Sequence, residues 1–135
     1  MKKPVVIKIG GAILDGYNQG NTFALTALLS VIASLKDQPV VIVHGGGCVV
    51  DEMLAQAGFT TEKKHGLRVT PKAQMPIISG ALAGSVNKAI VATAASLKLA
   101  AVGLSLTDGK MVQCDLSPLE SVSYTHLTLR TIHSV

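Results

Sequence analysis

Two short patterns in this sequence place anion-binding groups beside apolar runs. The first is Lys8-Ile9-Gly10-Gly11, a fixed cation and two glycines following the apolar residues 4–7. The second is His44-Gly45-Gly46-Gly47-Cys48-Val49-Val50-Asp51, which ends the run at residues 40–43 with three glycines and then opens a helix-like segment. Residues without a Cβ let backbone N–H groups come close to a ligand, and a helix start directs partial positive charge at the same spot. Elsewhere the basic residues are scattered, and only Lys63, Lys64 and Arg68 lie close together. Two glycine loops at the carboxyl ends of two strands predict one shared anionic site.

Each pattern has an ordinary rival. A single Lys-x-Gly-Gly is more often a turn with a surface lysine, and it becomes a functional signal only after a buried strand and beside the triple glycine. Arg68 beside Lys63 and Lys64 reads equally as a solvated basic loop. His44 is a strand-end residue bonded to backbone rather than a catalyst. Asp51 and Glu52 lie at a helix start, where carboxylates are favoured on electrostatic grounds alone. Asp108, within Thr107-Asp108-Gly109, is explained by turn chemistry. Asn87 and Lys88 read as solvent-facing helix positions with no catalytic role.

The elements that must position these groups follow from periodicity. Residues 4–10 form a buried strand of the parallel type, and the polar stretch 14–20 separates it from residues 21–36. There Phe23, Leu25, Leu28, Leu29, Ile32 and Leu35 recur at helical spacing. Residues 37–39 end that helix, residues 40–44 give the next strand, and residues 49–57 the next helix, stopped by Gly58 at a C-cap. This is a βαβα repeat with a right-handed crossover. Residues 60–69 read as a β-hairpin or lid loop. Thr70 as N-cap and Pro71 at the first helical position start a long helix to about residue 98. Its interior holds Gly80, Ala81, Ala83, Gly84 and Ser85, although each interior glycine costs roughly 1 kcal/mol against alanine. Such a small-residue face predicts a close neighbour, either the sheet or the same helix of a second subunit. Residues 100–106 read as a strand, 107–110 as a turn and 111–114 as a short returning strand.

Composition narrows the class. The 135 residues are one domain by length, and 48% hydrophobic content builds a core. With only 3% aromatic residues and no Trp, that core is aliphatic, as in sheets covered by helices, which favours α/β. Twelve basic against eight acidic side chains give +4, but the basic residues are scattered and stacking aromatics are nearly absent. A nucleic-acid partner is therefore not expected. Cys48 and Cys114 show no metal spacing and read as reduced cytosolic thiols. Residues 1–8 imitate a signal peptide until Lys8 and the glycines cut the apolar stretch short. No run of 18 apolar residues occurs, so neither secretion nor a membrane span is expected, and the expected location is cytoplasmic.

The same motifs, in order and at these spacings, resemble those of the N-acetylglutamate kinases of the amino-acid kinase superfamily. The likeness runs from about Val5 to about Cys114. It is carried by Lys8-Ile9-Gly10-Gly11, by Val43-His44-Gly45-Gly46-Gly47 with Val50-Asp51-Glu52, by Gly66-Leu67-Arg68-Val69-Thr70, and by Gly80-Ala81-Leu82-Ala83-Gly84 with Val86-Asn87-Lys88. The first two are shared loosely with carbamate, glutamate, aspartate and uridylate kinases; the last two point to N-acetylglutamate. The resemblance implies a three-layer αβα sandwich with a mainly parallel central sheet, the carbamate kinase-like fold, in truncated form. It implies phosphorylation of the side-chain carboxylate of N-acetyl-L-glutamate by ATP with Mg2+ in arginine biosynthesis. A carboxylate with a pKa of about 4.3 is already ionised at neutral pH, so no general base is required. Cations and backbone donors must instead relieve repulsion between the nucleophile and the γ-phosphate. By the resemblance, Lys8 neutralises the transferring phosphoryl group, Gly10 and Gly11 cradle its oxygens, Gly45 and Gly46 hold the reacting carboxylate end, and Arg68 takes the substrate α-carboxylate in bidentate fashion.

Family members continue into a second lobe with most of the nucleotide site. The expectation is therefore that residues 1–120 are the amino-terminal, acyl-amino-acid-binding lobe, inactive alone, and that the intact enzyme is a homodimer. Residues 122–129 resemble the in-frame translation of a transposon-based sequencing adaptor, so residues 121–135 are expected to be non-native; an ordinary edge strand is the alternative there. Two further readings stand beside the kinase: another amino-acid kinase, for carbamate or glutamate, and a non-catalytic module that holds a small anion.

Overall fold

The computed structural model describes residues 2–14, 20–35, 37–64, 67–112, 114–116 and 127–129. Its centre is a parallel pair, β1 (Val5–Ile9) and β2 (Val40–His44), two short runs rich in β-branched residues. The register joins Val5 to Val40, Lys8 to Val43 and Ile9 to His44. The ladder is extended at its base by Val5 N–H donating to Pro39 O at 2.9 Å. The short α1 (Gly11–Leu14) follows β1, and the crossover to β2 is α2 (Phe23–Ser34), which buries Leu25 and Leu29. The expected βαβ unit is present, with the strand boundaries within a residue of those read from periodicity.

Successive side chains of a strand point to opposite faces. Ile9 and Ile42 face a core that also holds Leu14, Leu25, Leu29, Val49, Val50, Leu54, Ala81, Val86, Ile90 and Ala94. Fully burying a leucine such as Leu54 stabilises by roughly 1.5–3 kcal/mol. On the opposite face Val6, Lys8, Val41 and Val43 are exposed. The described residues thus supply a sheet and the helices on one of its sides, a truncated form of the α/β architecture.

After the glycine loop comes α3 (Gly47–Gln56), closed by a Schellman motif: Phe59 N–H donates to Leu54 O at 2.8 Å and Gly58 N–H to Ala55 O at 3.0 Å, with Gly58 at φ +79°. That is the C-cap expected of Gly58. The same motif ends α5 (Asn87–Ser96), but with Lys98 in the left-handed position at φ +59°. Between them β3 (Glu62–Lys64) and β4 (Leu67–Val69) form the antiparallel hairpin, pairing Lys63 with Arg68. His65 and Gly66, at its tip, lie outside the described residues, as do residues 15–19 of the polar loop.

The long helix departs from expectation at its start and middle. Pro71 is extended, with ψ 148°, and precedes a 3-10 turn, Lys72–Gln74, so the boundary falls one residue later than a Thr70 cap would set it. Thr70 is instead buried. From α4 (Met75–Ser79) the helix widens to a π segment, Gly80–Val86, before tightening again into α5. A Cβ on Gly80 or Gly84 would meet nothing within 4 Å, so these glycines serve no close contact within the described chain. Residues 72–96 make 25 helical residues, long and apolar enough to cross a bilayer; Ala81, Val86, Ala89, Ile90 and Ala94 are buried among them.

Residues 100–106 are not a ladder strand. Among the described residues they run beside β2 with a cavity of about 670 Å³ between, and their carbonyls bond to side chains of α5. A 3-10 turn at Asp108–Lys110 follows, where Asp108 Oδ2 accepts from Ser105 N–H at 2.8 Å, the turn role expected of it. The returning strand β5 lies at Cys114–Leu116 rather than at residues 111–114, and pairs antiparallel with β6 (Leu127–Leu129). Residues 117–126 and 130–135, and with them the boundary expected near residue 120, lie outside the described residues.

Candidate active site

The register of the parallel pair decides where the anion-binding loops meet. Because Ile9 stands opposite His44, Gly10-Gly11 leaves β1 beside the point where Gly45-Gly46-Gly47 leaves β2, both at carboxyl ends. The two loops are neighbours, as a shared site requires. Lys8 pairs in register with Val43 and therefore lies on the solvent face, opposite to His44. It is exposed and makes no hydrogen bond or ion pair among the described residues.

The triple glycine is shaped by its neighbours. Gly46 is buried, with φ +156°, and a Cβ there would come within 2.8 Å of Val86 Cγ2 and 3.2 Å of Leu82 Cδ2. Side chains of the π segment thus press on the loop from below, and only glycine fits. Gly46 O accepts from Val50 N–H at 2.9 Å as α3 begins. His44 Nδ1 bonds Gly45 O at 2.9 Å, the backbone-bonded role expected of this histidine.

Arg68 arrives from β4. Its side chain is 16% exposed and ion-paired through Nη1 to Asp51, one turn into α3. Nη1 also donates to Thr61 Oγ1 at 3.2 Å, and Nη2 to Gly47 O at 3.4 Å. Lys63 reaches the other oxygen of Asp51 at 3.2 Å. Asp51 is thus gripped by two cations; the Arg68 hydrogen bond, more than Lys63, holds its carboxyl below the ordinary 3.8, against the opposing pull of burial. Arg68 is therefore no loose member of a basic loop. Its contact with Asp51 is made by Nη1 alone, while Nη2 turns to the Gly47 carbonyl.

Two residues carry more than sequence reasoning assigned them. Asp51 was explained by the helix terminus alone, yet it anchors Arg68. Asn87, read as solvent-facing, is buried and touches His44, Leu104 O and Lys88. Neither pairing has a local signature, since the partners lie 17 and 43 residues away.

Two parallel strands thus end in neighbouring glycine loops, with the Arg68 guanidinium held at the second loop by Asp51 and Thr61. Residues 3–134 match the model of the amino acid kinase family, and the chain belongs to that family. Over 115 residues it is 72% identical to acetylglutamate kinase of Colwellia psychrerythraea, covering 85% of this chain and 42% of that protein. It is 48% identical to the acetylglutamate kinase of Aeromonas hydrophila over 115 residues, 83% of this chain and 42% of that one. The chain thus spans about two-fifths of the length of these relatives. Among solved structures, that of smu.665 from Streptococcus mutans superposes with a TM-score of 0.72 at 27% identity, covering 95% of this chain and 52% of that chain.

Proposed function

We propose that this chain is the acyl-amino-acid-binding part of an acetylglutamate kinase, an enzyme that transfers the γ-phosphoryl group of ATP to the side-chain carboxylate of N-acetyl-L-glutamate in arginine biosynthesis. The observation that carries this reading is the placement of Arg68. Its guanidinium is held beside Gly47 by Asp51 and Thr61, and Gly47 belongs to the loop that leaves β2 next to Gly10-Gly11. A dicarboxylic acyl amino acid matches that arrangement at both ends. Arg68 takes the α-carboxylate, the Gly45-Gly46 backbone holds the reacting carboxylate, and Lys8 with Gly10 and Gly11 receives the phosphoryl group.

Among the described residues no three His, Cys, Asp or Glu side chains cluster as metal ligands. A Mg2+ ion is proposed to enter on the nucleotide phosphates, which supply the oxygen ligands such an ion prefers. The intact enzyme is proposed to be a cytoplasmic homodimer, and this chain alone inactive. Residues 121–135 are proposed to be foreign read-through, tested by sequencing the source DNA across codon 120.

Titration calorimetry of the chain tests the substrate. N-acetylglutamate is expected to bind, with free glutamate, carbamate and N-acetylglutamine weaker by at least tenfold. Equal binding of all four, or none by N-acetylglutamate, overturns the reading. ADP formation that depends on N-acetylglutamate and on Lys8 in this chain alone would overturn its expected inactivity.

A further inference from the structure

The middle residue of Val86-Asn87-Lys88 has a buried side chain with every polar atom engaged. Asn87 is 7% exposed at the start of α5. Its Nδ2 donates to Leu104 O at 3.2 Å and stands 3.2 Å from His44 Nε2, while its Oδ1 accepts from Lys88 Nζ at 3.3 Å. These partners fix the amide's orientation, since the flipped amide would set its oxygen against the Leu104 carbonyl. With Nδ2 donating, His44 Nε2 is the acceptor. The imidazole proton therefore sits on Nδ1 and is donated to Gly45 O at 2.9 Å. That carbonyl shares one planar trans peptide with the Gly46 N–H, which must point the opposite way.

The surroundings keep Asn87 in place. A Cβ on Gly103 would fall 1.9 Å from Asn87 Oδ1, so only a glycine at 103 admits the amide, and Lys88 Nζ donates to Gly103 O at 3.0 Å. The π segment ends at Val86, so one residue presses on Gly46 while the next reaches His44. π segments of this kind are frequent at functional sites.

We propose that Asn87 is a positioning residue: by dictating the His44 tautomer it sets the Gly45–Gly46 peptide that meets the ligand. The ligand's identity rests on the kinase reading; the relay itself does not. The test is NMR of the 15N-labelled chain, reading the imidazole nitrogens of His44 and the amide of Gly46. The wild-type chain is expected to carry its proton on Nδ1 with Nε2 bare. Asn87→Asp puts an acceptor opposite Nε2 and is expected to protonate that nitrogen, to move the Gly46 amide resonance, and to weaken N-acetylglutamate binding about tenfold, the size of one well-placed hydrogen bond. Gly103→Ala, which displaces the amide without altering it, is expected to move the same resonances. A wild-type proton on Nε2, an unchanged tautomer in Asn87→Asp, or a tautomer change that leaves the Gly46 amide in place overturns the proposal. If the wild-type chain does not bind N-acetylglutamate, the kinase reading fails while the resonances still decide the relay. A merely structural asparagine would lower the melting temperature and leave the tautomer alone.

Discussion

Arg68 and Asp51 form an ion pair between a hairpin strand and the helix that follows the triple glycine. The pair fixes the guanidinium before any ligand arrives, so ordering that side chain costs little on binding. Asp51→Asn is expected to weaken N-acetylglutamate binding about tenfold by freeing Arg68, and Arg68→Lys, which keeps charge but loses the fork, at least as much. Calorimetry on both variants checks this; tighter binding by Asp51→Asn would mean that Asp51 competes with the ligand.

The same pair sets a pH dependence. Asp51 has its carboxyl pKa lowered in the folded chain, chiefly by the Arg68 hydrogen bond. A carboxyl depressed on folding adds stability above its ordinary value of 3.8 and loses it as pH falls through the folded value. The melting temperatures of wild type and Asp51→Ala should therefore differ at pH 7 and converge below that range. A constant difference would show that Asp51 acts through packing alone.

Gly46→Ala tests the pressure of the π segment on the loop. The added methyl meets Val86, a stiff β-branched side chain that is 2% exposed, and is expected to destabilise by about 1–3 kcal/mol. Val86→Ala in the same chain should recover part of that loss. Denaturant midpoints of the single and double variants measure the coupling, and strict additivity would contradict the contact.

Lys98 closes α5 in a conformation that suits glycine. Lys98→Gly is expected to stabilise by up to about 1 kcal/mol, the left-handed strain relieved less the extra unfolded-state entropy of glycine. Thermal unfolding checks the sign.

The solvent face of the parallel pair exposes Val6, Val41 and Val43, and Val102, Leu104 and Leu106 are exposed beyond it. Exposed apolar side chains such as the neighbouring Val6 and Val41 promote association. Val41→Thr with Val43→Thr should reduce light scattering on concentration and leave N-acetylglutamate affinity unchanged.

Local chemistry made much of this legible from the sequence. Two β-branched runs ending in glycines, a leucine-spaced helix and Gly58 at a helix end each act through neighbours a few residues away, and each stands where it was read. Residues 100–106 have the composition of a strand, but a ladder needs a partner edge, and here Asn87 and Lys88 hold their carbonyls instead. Pro71 displaced the expected Thr70 cap because its extended ψ postpones the first turn. The π segment has no periodicity of its own, so Asn87 was assigned to the wrong face. The proposed ligand contacts of Lys8, Gly10, Gly11, Gly45, Gly46 and Arg68 came from motif likeness, and the titrations above are what test them.

The parallel register also has a kinetic consequence. Each strand pair, from Val5 with Val40 to Ile9 with His44, joins residues separated by the whole of α2. No local hairpin can nucleate it, and the closure entropy of that loop precedes any ladder bond. The β1–β2 ladder therefore forms only once the intervening chain has closed on itself. Gly10 and Gly45 are brought together by that closure alone, so a chain whose β1–β2 ladder has not formed would hold its helices without setting the two glycine loops side by side.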